Sequence, residues 1–224
     1  MMATLTIMKT PKYDLRSCSL KEIKELCQRF HGYGNAGGFA VYSFGVYEEG
    51  RLIAAYTWAP PPLGVGQQIC PEAPQGVLAL SRMVAVPKEE RKLKHISKPL
   101  KKQMRELIDR TRWPVLVTYS DESQGHTGFV YKCSGWTKTQ ARKVPFYLNE
   151  DGSRASSYKG GHTSTKGLIR GGETWLQRWE NWICPSGRVL DWMNYWGWER
   201  VPVEGKVWRS GNQAYTYKQK KIGD

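Results

Sequence analysis

Apolar and polar positions change period several times along this chain, and each change marks an element. In "SLKEIKELCQRFH" the apolar residues recur at helical spacing, with Ser19 where a cap belongs and Glu22 three residues on, the capping-box pattern. "FAVYSFGVYEEG" and "RLIAAYTWA" read as two strands joined by a Glu-Glu-Gly hairpin, and "MATLTIM" as a short strand near the start. "PPPLGVGQQICPEAPQG" is rich in Pro and Gly and reads as loop. "VLALSRMVAV" predicts a strand. After it Ile96, Leu100, Met104, Leu107 and Ile108 repeat at helical spacing, with Ser97 as cap and Pro99 tolerated in the first turn. A strand "VLVTYS", a short helical stretch and a strand "KVPFYLN" complete this part. The order predicts an α+β fold with a mixed central sheet flanked by helices.

Beyond about residue 150 the pattern loosens. "YKGGHTSTKGLIRGG" reads as a flexible connector, and "ETWLQRWENWI" places Trp175, Trp179 and Trp182 at i, i+4, i+7, the spacing of one helix face. Such a face packs onto a core or stacks on extruded bases. "DWMNYWGWERV" adds Trp192, Trp196 and Trp198, and "GKVWRSG" with "AYTYKQKK" predicts a hairpin that returns to the sheet. The expected organisation is a core over residues 1–150 and a Trp-rich, basic elaboration over 151–224.

Charge narrows the class of partner. Thirty-four Lys and Arg against twenty Asp and Glu leave a net charge of +14, which favours a polyanion. Ten basic and four acidic residues fall between Lys88 and Arg112, with Lys94, Lys98, Lys101, Lys102 and Arg105 largely off the apolar face of the helix. That basic ridge is a candidate DNA-backbone contact or a solvated face. Cys18, Cys27, Cys70, Cys133 and Cys184 are scattered without a CxxC pair, which reads as small buried residues rather than a disulfide framework or zinc site. No apolar run is long enough for a bilayer, and "MMATLTIMKT" lacks the regions of a signal peptide, so a soluble intracellular protein is expected.

The densest chemistry lies in "TYSDESQGHTGFVYKCSGW", residues 118–136. Asp121 falls just past a strand end, where a carboxylate can accept a proton from an incoming amine or orient it. Gly125 and Gly128 allow close approach of backbone to a ligand. Tyr131 can face the same cleft from a short helix and donate to a leaving group or oxyanion. His126 could hold a base, ligate a metal or satisfy the turn. Tyr33, Tyr42, Tyr47, Tyr56 and Trp58 lie on or near strands that would flank an acceptor pocket, and Arg82 is a candidate for phosphate, donor or salt-bridge contact.

The element order and "FVYKCSGW" resemble the GNAT acyltransferase superfamily, in which two central strands splay and the donor lies in the notch. Tyr131 falls on the position of that superfamily's leaving-group acid. The longer pattern resembles the Mom family of phage DNA-modification proteins, which are GNAT-like. Tyr119, Asp121, Gln124, Gly125, His126, Gly128, Tyr131, Gly135 and Trp136 fall on the motif, and "FHGYG", with His31 and Tyr33, matches an early His-Tyr element. The closing "YTYKQKK" resembles the family's basic last strand.

This resemblance implies carbamoylmethylation of adenine N6 in double-stranded DNA, in the cytoplasm of an infected bacterial host, as protection from restriction. It implies catalytic roles for Asp121, Tyr131, His126, His31 and Tyr33. Tyr47, Tyr119, Ser120, Gln124 and Arg82 would then bind the substrate. The amine is paired in a duplex, so the adenine must be flipped out.

After "MVAV" the chain runs "PKEERKLKHISKPLKK" without a glycine, where a usual GNAT loop cradles a pyrophosphate. That argues against acetyl-coenzyme A in its usual pose. A glycyl amide is isomeric with a carbamoylmethyl amine, so a glycine-derived donor followed by rearrangement is the working expectation. Iron is a family-level suggestion, with His31, Asp121 and His126 as conceivable ligands. Two alternatives are a GNAT-like enzyme acting on an amine of RNA or protein, and a nucleic-acid-binding protein without chemistry.

Overall fold

The computed structural model describes residues 12–32, 38–108, 113–155, 158–159, 162–163, 165–184, 187–207 and 213–219. The strand expected at "MATLTIM" lies outside them, as does Tyr33. Among the described residues the first elements are β1 (Asp14–Ser17), α1 (Leu20–Phe30), β2 (Tyr42–Glu48) and β3 (Arg51–Ala59). The capping box on α1 forms: Ser19 Oγ accepts from the Glu22 amide at 3.2 Å, and the Ser19 amide donates to the Glu22 carboxylate at 3.0 Å. Next come α2 (Leu63–Ile69), β4 (Val77–Ala85), α3 (Ser97–Ile108) and β5 (Val115–Asp121). The stretch expected to be loop thus contains a helix. Pro60, Pro61 and Pro62 all precede its first turn, and Gly66 lets it close on Pro74, whose carbonyl would lie 2.8 Å from an added Cβ.

The chain continues through α4 (Phe129–Cys133), β6 (Thr137–Leu148), β7 (Arg154–Ala155), β8 (Tyr158–Lys159), β9 (His162–Thr163) and β10 (Ile169–Trp182). It ends with α5 (Val189–Tyr195), β11 (Trp198–Val207) and β12 (Gln213–Gln219). Eight strands form one sheet in the order β1-β2-β3-β4-β5-β10-β6-β7. The tryptophan segment is therefore a strand and not a helix, and it sits inside the sheet between β5 and β6. A separation of four residues puts Trp175 and Trp179 on one side of a helix or of a strand, so the spacing does not distinguish the two. The closing hairpin forms, but β11 and β12 pair in a two-stranded sheet of their own instead of rejoining the main one.

Leu78, Leu80 and Leu116 face one side of the sheet and share a core with Ile23 of α1 and Leu100, Met104 and Leu107 of α3. Val77, Val115 and Val117 face the other and pack with Ile69 of α2 and Val189 and Met193 of α5. Strands β4 and β5 run parallel but pair at only three positions, Val77–Ala79 against Val115–Val117. Beyond these, β4 stays with β3 as far as Ala85 and β5 stays with β10 as far as Asp121, so the two part. This is the splayed, GNAT-like α+β arrangement.

Candidate functional site

Two cavities meet where the strands part. The first, about 320 Å³, is walled by Pro60, Pro61 and Pro62, by Ser81 and Arg82 of β4, by Tyr119 and Asp121 of β5, by His31, His126 and Tyr131, and by Leu176 of β10. The second, about 270 Å³, lies between the end of β4 and the start of α3, with Phe30, Arg91, Lys94, His95, Phe129 and Val130 in its wall. His31, Met83 and His126 line both. A group held in one chamber thus meets a group held in the other beside two imidazoles.

Asp121 ends β5, and its carboxylate is fully occupied. Oδ1 accepts from Thr174 Oγ1 at 2.7 Å, Ser123 Oγ at 2.7 Å and the Ser123 amide at 3.0 Å, while Oδ2 accepts from Arg154 at 2.6 Å. Burial alone would raise its pKa, but these donors and the guanidinium outweigh it and hold the group below the ordinary carboxylate range. A carboxylate so held is a weak proton acceptor and a fixed negative charge, which favours the orienting role over that of a base. Arg154 also donates to Ser123 Oγ at 2.8 Å and lies 4.2 Å from the Phe146 ring centroid.

Tyr131 is buried in the notch, its ring 6.0 Å from Trp136 and 6.1 Å from Trp179. Burial raises its pKa and a hydrogen bond with Thr118 partly opposes this, so the phenol carries its proton at neutral pH. The turn before it needs both glycines: Gly125 and Gly128 have φ of 69° and 74°. At Gly128 a Cβ would sit 2.1 Å from the Trp179 ring. Trp179 in turn donates to Ser120 Oγ at 2.9 Å. Burial, the Arg82 cation and His126 push His31 down to about 4. His126 is lowered by desolvation against the pull of Asp121, although its side chain reaches solvent. The site therefore offers two neutral imidazoles as proton acceptors, a protonated phenol as donor and one fixed charge.

The remaining expected residues divide. Arg82 and Tyr119 line the first cavity. Gln124 covers Gly32, where a Cβ would collide with its side-chain oxygen. Ser120 faces Trp179 rather than a cavity. Tyr47 is buried in the core, donates to Glu22 at 3.3 Å and lines neither chamber. Tyr56 and Trp58 are likewise core residues. Lys94 turns its ammonium onto the Lys88 and Arg91 carbonyls at 2.8 and 2.6 Å. Lys98, Lys101, Lys102 and Arg105 are exposed on α3, whose Leu100, Met104 and Leu107 face the core.

Ser123, Thr174, Arg154 and Trp179 were not foreseen in this role. Only Ser123 has a local signal, two residues after an Asp, as in an Asx turn. Among the described residues no three His, Cys, Asp or Glu side chains converge as metal ligands, and both Asp121 oxygens are already taken. His31, Asp121 and His126 as they stand do not fit an iron site.

A mixed sheet whose two parallel strands part over a cavity lined by a carboxylate, two imidazoles and a buried phenol defines a splayed α+β fold with a site equipped for proton transfer. The chain belongs to the Mom protein family, whose model matches residues 12–173. Solved structures similar to it include the ribosomal-protein-S18-alanine N-acetyltransferase from Escherichia coli, at 14% identity and TM-score 0.46, covering 79% of this chain and 97% of that one. Another is an N-acetyltransferase from Staphylococcus aureus Mu50, at 12% identity and TM-score 0.45, covering 77% and 99%. No curated protein matches the chain significantly. Among the described residues, no helix is long and apolar enough to cross a membrane.

Proposed function

We propose that this chain carbamoylmethylates the exocyclic N6 amine of adenine in double-stranded DNA, protecting phage DNA from restriction in the infected bacterial cell. Family membership supports the substrate class. The observation that carries the chemistry is the convergence of His31, His126, Asp121 and Tyr131 on one cavity that communicates with a second. A flipped adenine occupies the first chamber, with its amine toward the imidazoles. As the new bond to nitrogen forms, the amine proton passes to a neutral imidazole. As the bond to the leaving group breaks, Tyr131 supplies a proton to it, and Asp121 steadies the positive charge that develops between them.

The donor is read from the loop between β4 and α3. Its amides at Lys92 and Leu93 donate to the buried Glu48 carboxylate, the former at 2.9 Å, and its Val86 carbonyl accepts from Arg91 Nε at 2.9 Å. Groups that would wrap a pyrophosphate are thus committed within the protein, which supports a glycine-derived donor over coenzyme A: glycyl transfer to N6 expels the donor's leaving group and gives a glycyl amide, which then rearranges to the isomeric carbamoylmethyl amine. The test is mass spectrometry of nucleosides from cells expressing the protein and fed labelled glycine. A labelled adenine adduct of carbamoylmethyl mass is expected. Unmodified DNA, or an adduct in RNA or protein instead, would overturn the reading.

A further inference from the structure

The sheet has two differently equipped faces, and the first cavity runs through the notch between them, with Val65, Ala79 and Tyr119 on the side of α2 and α5 and Leu80 and Tyr131 on the side of α1 and α3. We infer that duplex DNA docks on the face covered by α2 and α5, and not on the basic ridge of α3. This rests on the proposed DNA substrate and adds where the duplex lies. Leu176 lines the cavity and is the cross-strand partner of both Asp121 on β5 and Arg142 on β6. Partners in register point to the same side, so Arg142 stands beside the cavity mouth. Arg142 is exposed, acts on Tyr119 through its charge, and makes no ion pair among the described residues. Its neighbour Arg178 is different: it is held at 2.8 Å by Glu180 and contributes rigidity, with Tyr119 as its cross-strand partner.

The same face carries bare aromatics at its other end. Tyr195 is 81% exposed and Trp196 40%, with their rings edge to face at 5.4 Å at the end of α5. Helix α5 packs over Val115, whereas the cavity opens at Tyr119 and Asp121. At about 3.3 Å per strand residue, Val115 lies roughly 13 Å from Tyr119 and roughly 20 Å from Asp121 along β5. That is the length of about four to six base pairs at about 3.4 Å each. A duplex lying along this face therefore meets a cation beside the site of extrusion and stacking or sugar-contacting rings further along. The exposed lysines of α3 lie on the other face of the sheet, on the solvent side of a helix whose Leu100, Met104 and Leu107 pack inward. A duplex whose base enters from the side of α2 and α5 leaves these lysines on the opposite face.

The test is binding of a fluorescein-labelled duplex by anisotropy over a range of salt concentrations. Three folded variants are compared: Arg142→Glu, the pair Tyr195→Ala with Trp196→Ala, and the triple Lys98→Glu, Lys101→Glu, Lys102→Glu. Arg142→Glu should lower affinity about tenfold and reduce the salt slope by about one, and Arg142→Gln should share the slope change. The aromatic pair should lower affinity severalfold with the slope unchanged. The triple should stay within about threefold, an effect of net charge at a distance. A triple that loses binding with a slope smaller by about three, beside wild-type binding by Arg142→Glu, would place the duplex on α3 and overturn the inference. The functional reading fails separately, in the nucleosides, if wild-type protein that binds the duplex leaves adenine unmodified.

Discussion

Arg154 donates to the Asp121 carboxylate at 2.6 Å, and the two residues, 33 apart in sequence, are nearly sealed from water with side-chain exposures of 7% and 8%. Removing either partner strands a buried charge, which costs roughly 3–5 kcal/mol. Arg154→Met should therefore lower urea stability by about 3 kcal/mol or more. Modification should also fall, because the Asp121–Ser123 turn loses a donor to each residue.

Tyr131→Phe should reduce adduct formation by about 10²–10⁴ while leaving stability close to wild type, since the change removes a proton donor and little volume. Asp121→Asn should be as inactive but should also melt earlier, because it leaves Arg154 without its counter-charge. Nucleoside mass spectrometry and thermal melts on the same preparations check both. Wild-type adduct yield from either variant would remove that residue from the mechanism.

His31 has its folded pKa at about 4, below its unfolded value near 6.5, so between these the unfolded chain binds more protons. Stability should rise with pH across that window and be lost as pH falls through it. Asp121, whose pKa is also lowered, should add a further loss below the ordinary carboxylate range. Urea titrations from pH 4 to 7 should show a flatter dependence for His31→Asn. An unchanged slope would mean that the imidazole is not held neutral by burial.

Gly128→Ala combines a left-handed backbone at φ 74° with a methyl 2.1 Å from the Trp179 ring. Strain and overpacking together should cost about 2–5 kcal/mol. In a Trp179→Ala background the same change should cost less, because only the backbone term remains. A double-mutant cycle on urea stabilities measures the difference.

The parts of the fold that were legible in the sequence are those set by near neighbours. Ser19 and Glu22 announce α1, and the apolar stripe of α3 announces which side of it is buried. The turn at Gly125 and Gly128 is visible for the same reason. Long-range pairings left no such mark: nothing about Arg154 or Thr174 points to Asp121 before the strands are assembled. Tyr47 illustrates the limit within a strand, where an aromatic on one side is core and on the other is pocket. The β2 register puts its hydroxyl against Glu22 of α1.

The place of β10 in the sheet has a consequence for biosynthesis. While the chain is still emerging from the ribosome, β5 and β6 have been made but the strand that separates them has not. Both then present unpaired backbone edges, Val115–Asp121 and Thr137–Leu148. Those edges either wait or pair wrongly with each other until residue 182 has left the exit tunnel. The sheet therefore cannot close until β10 has emerged, and until then mispairing of these two edges competes with the native order.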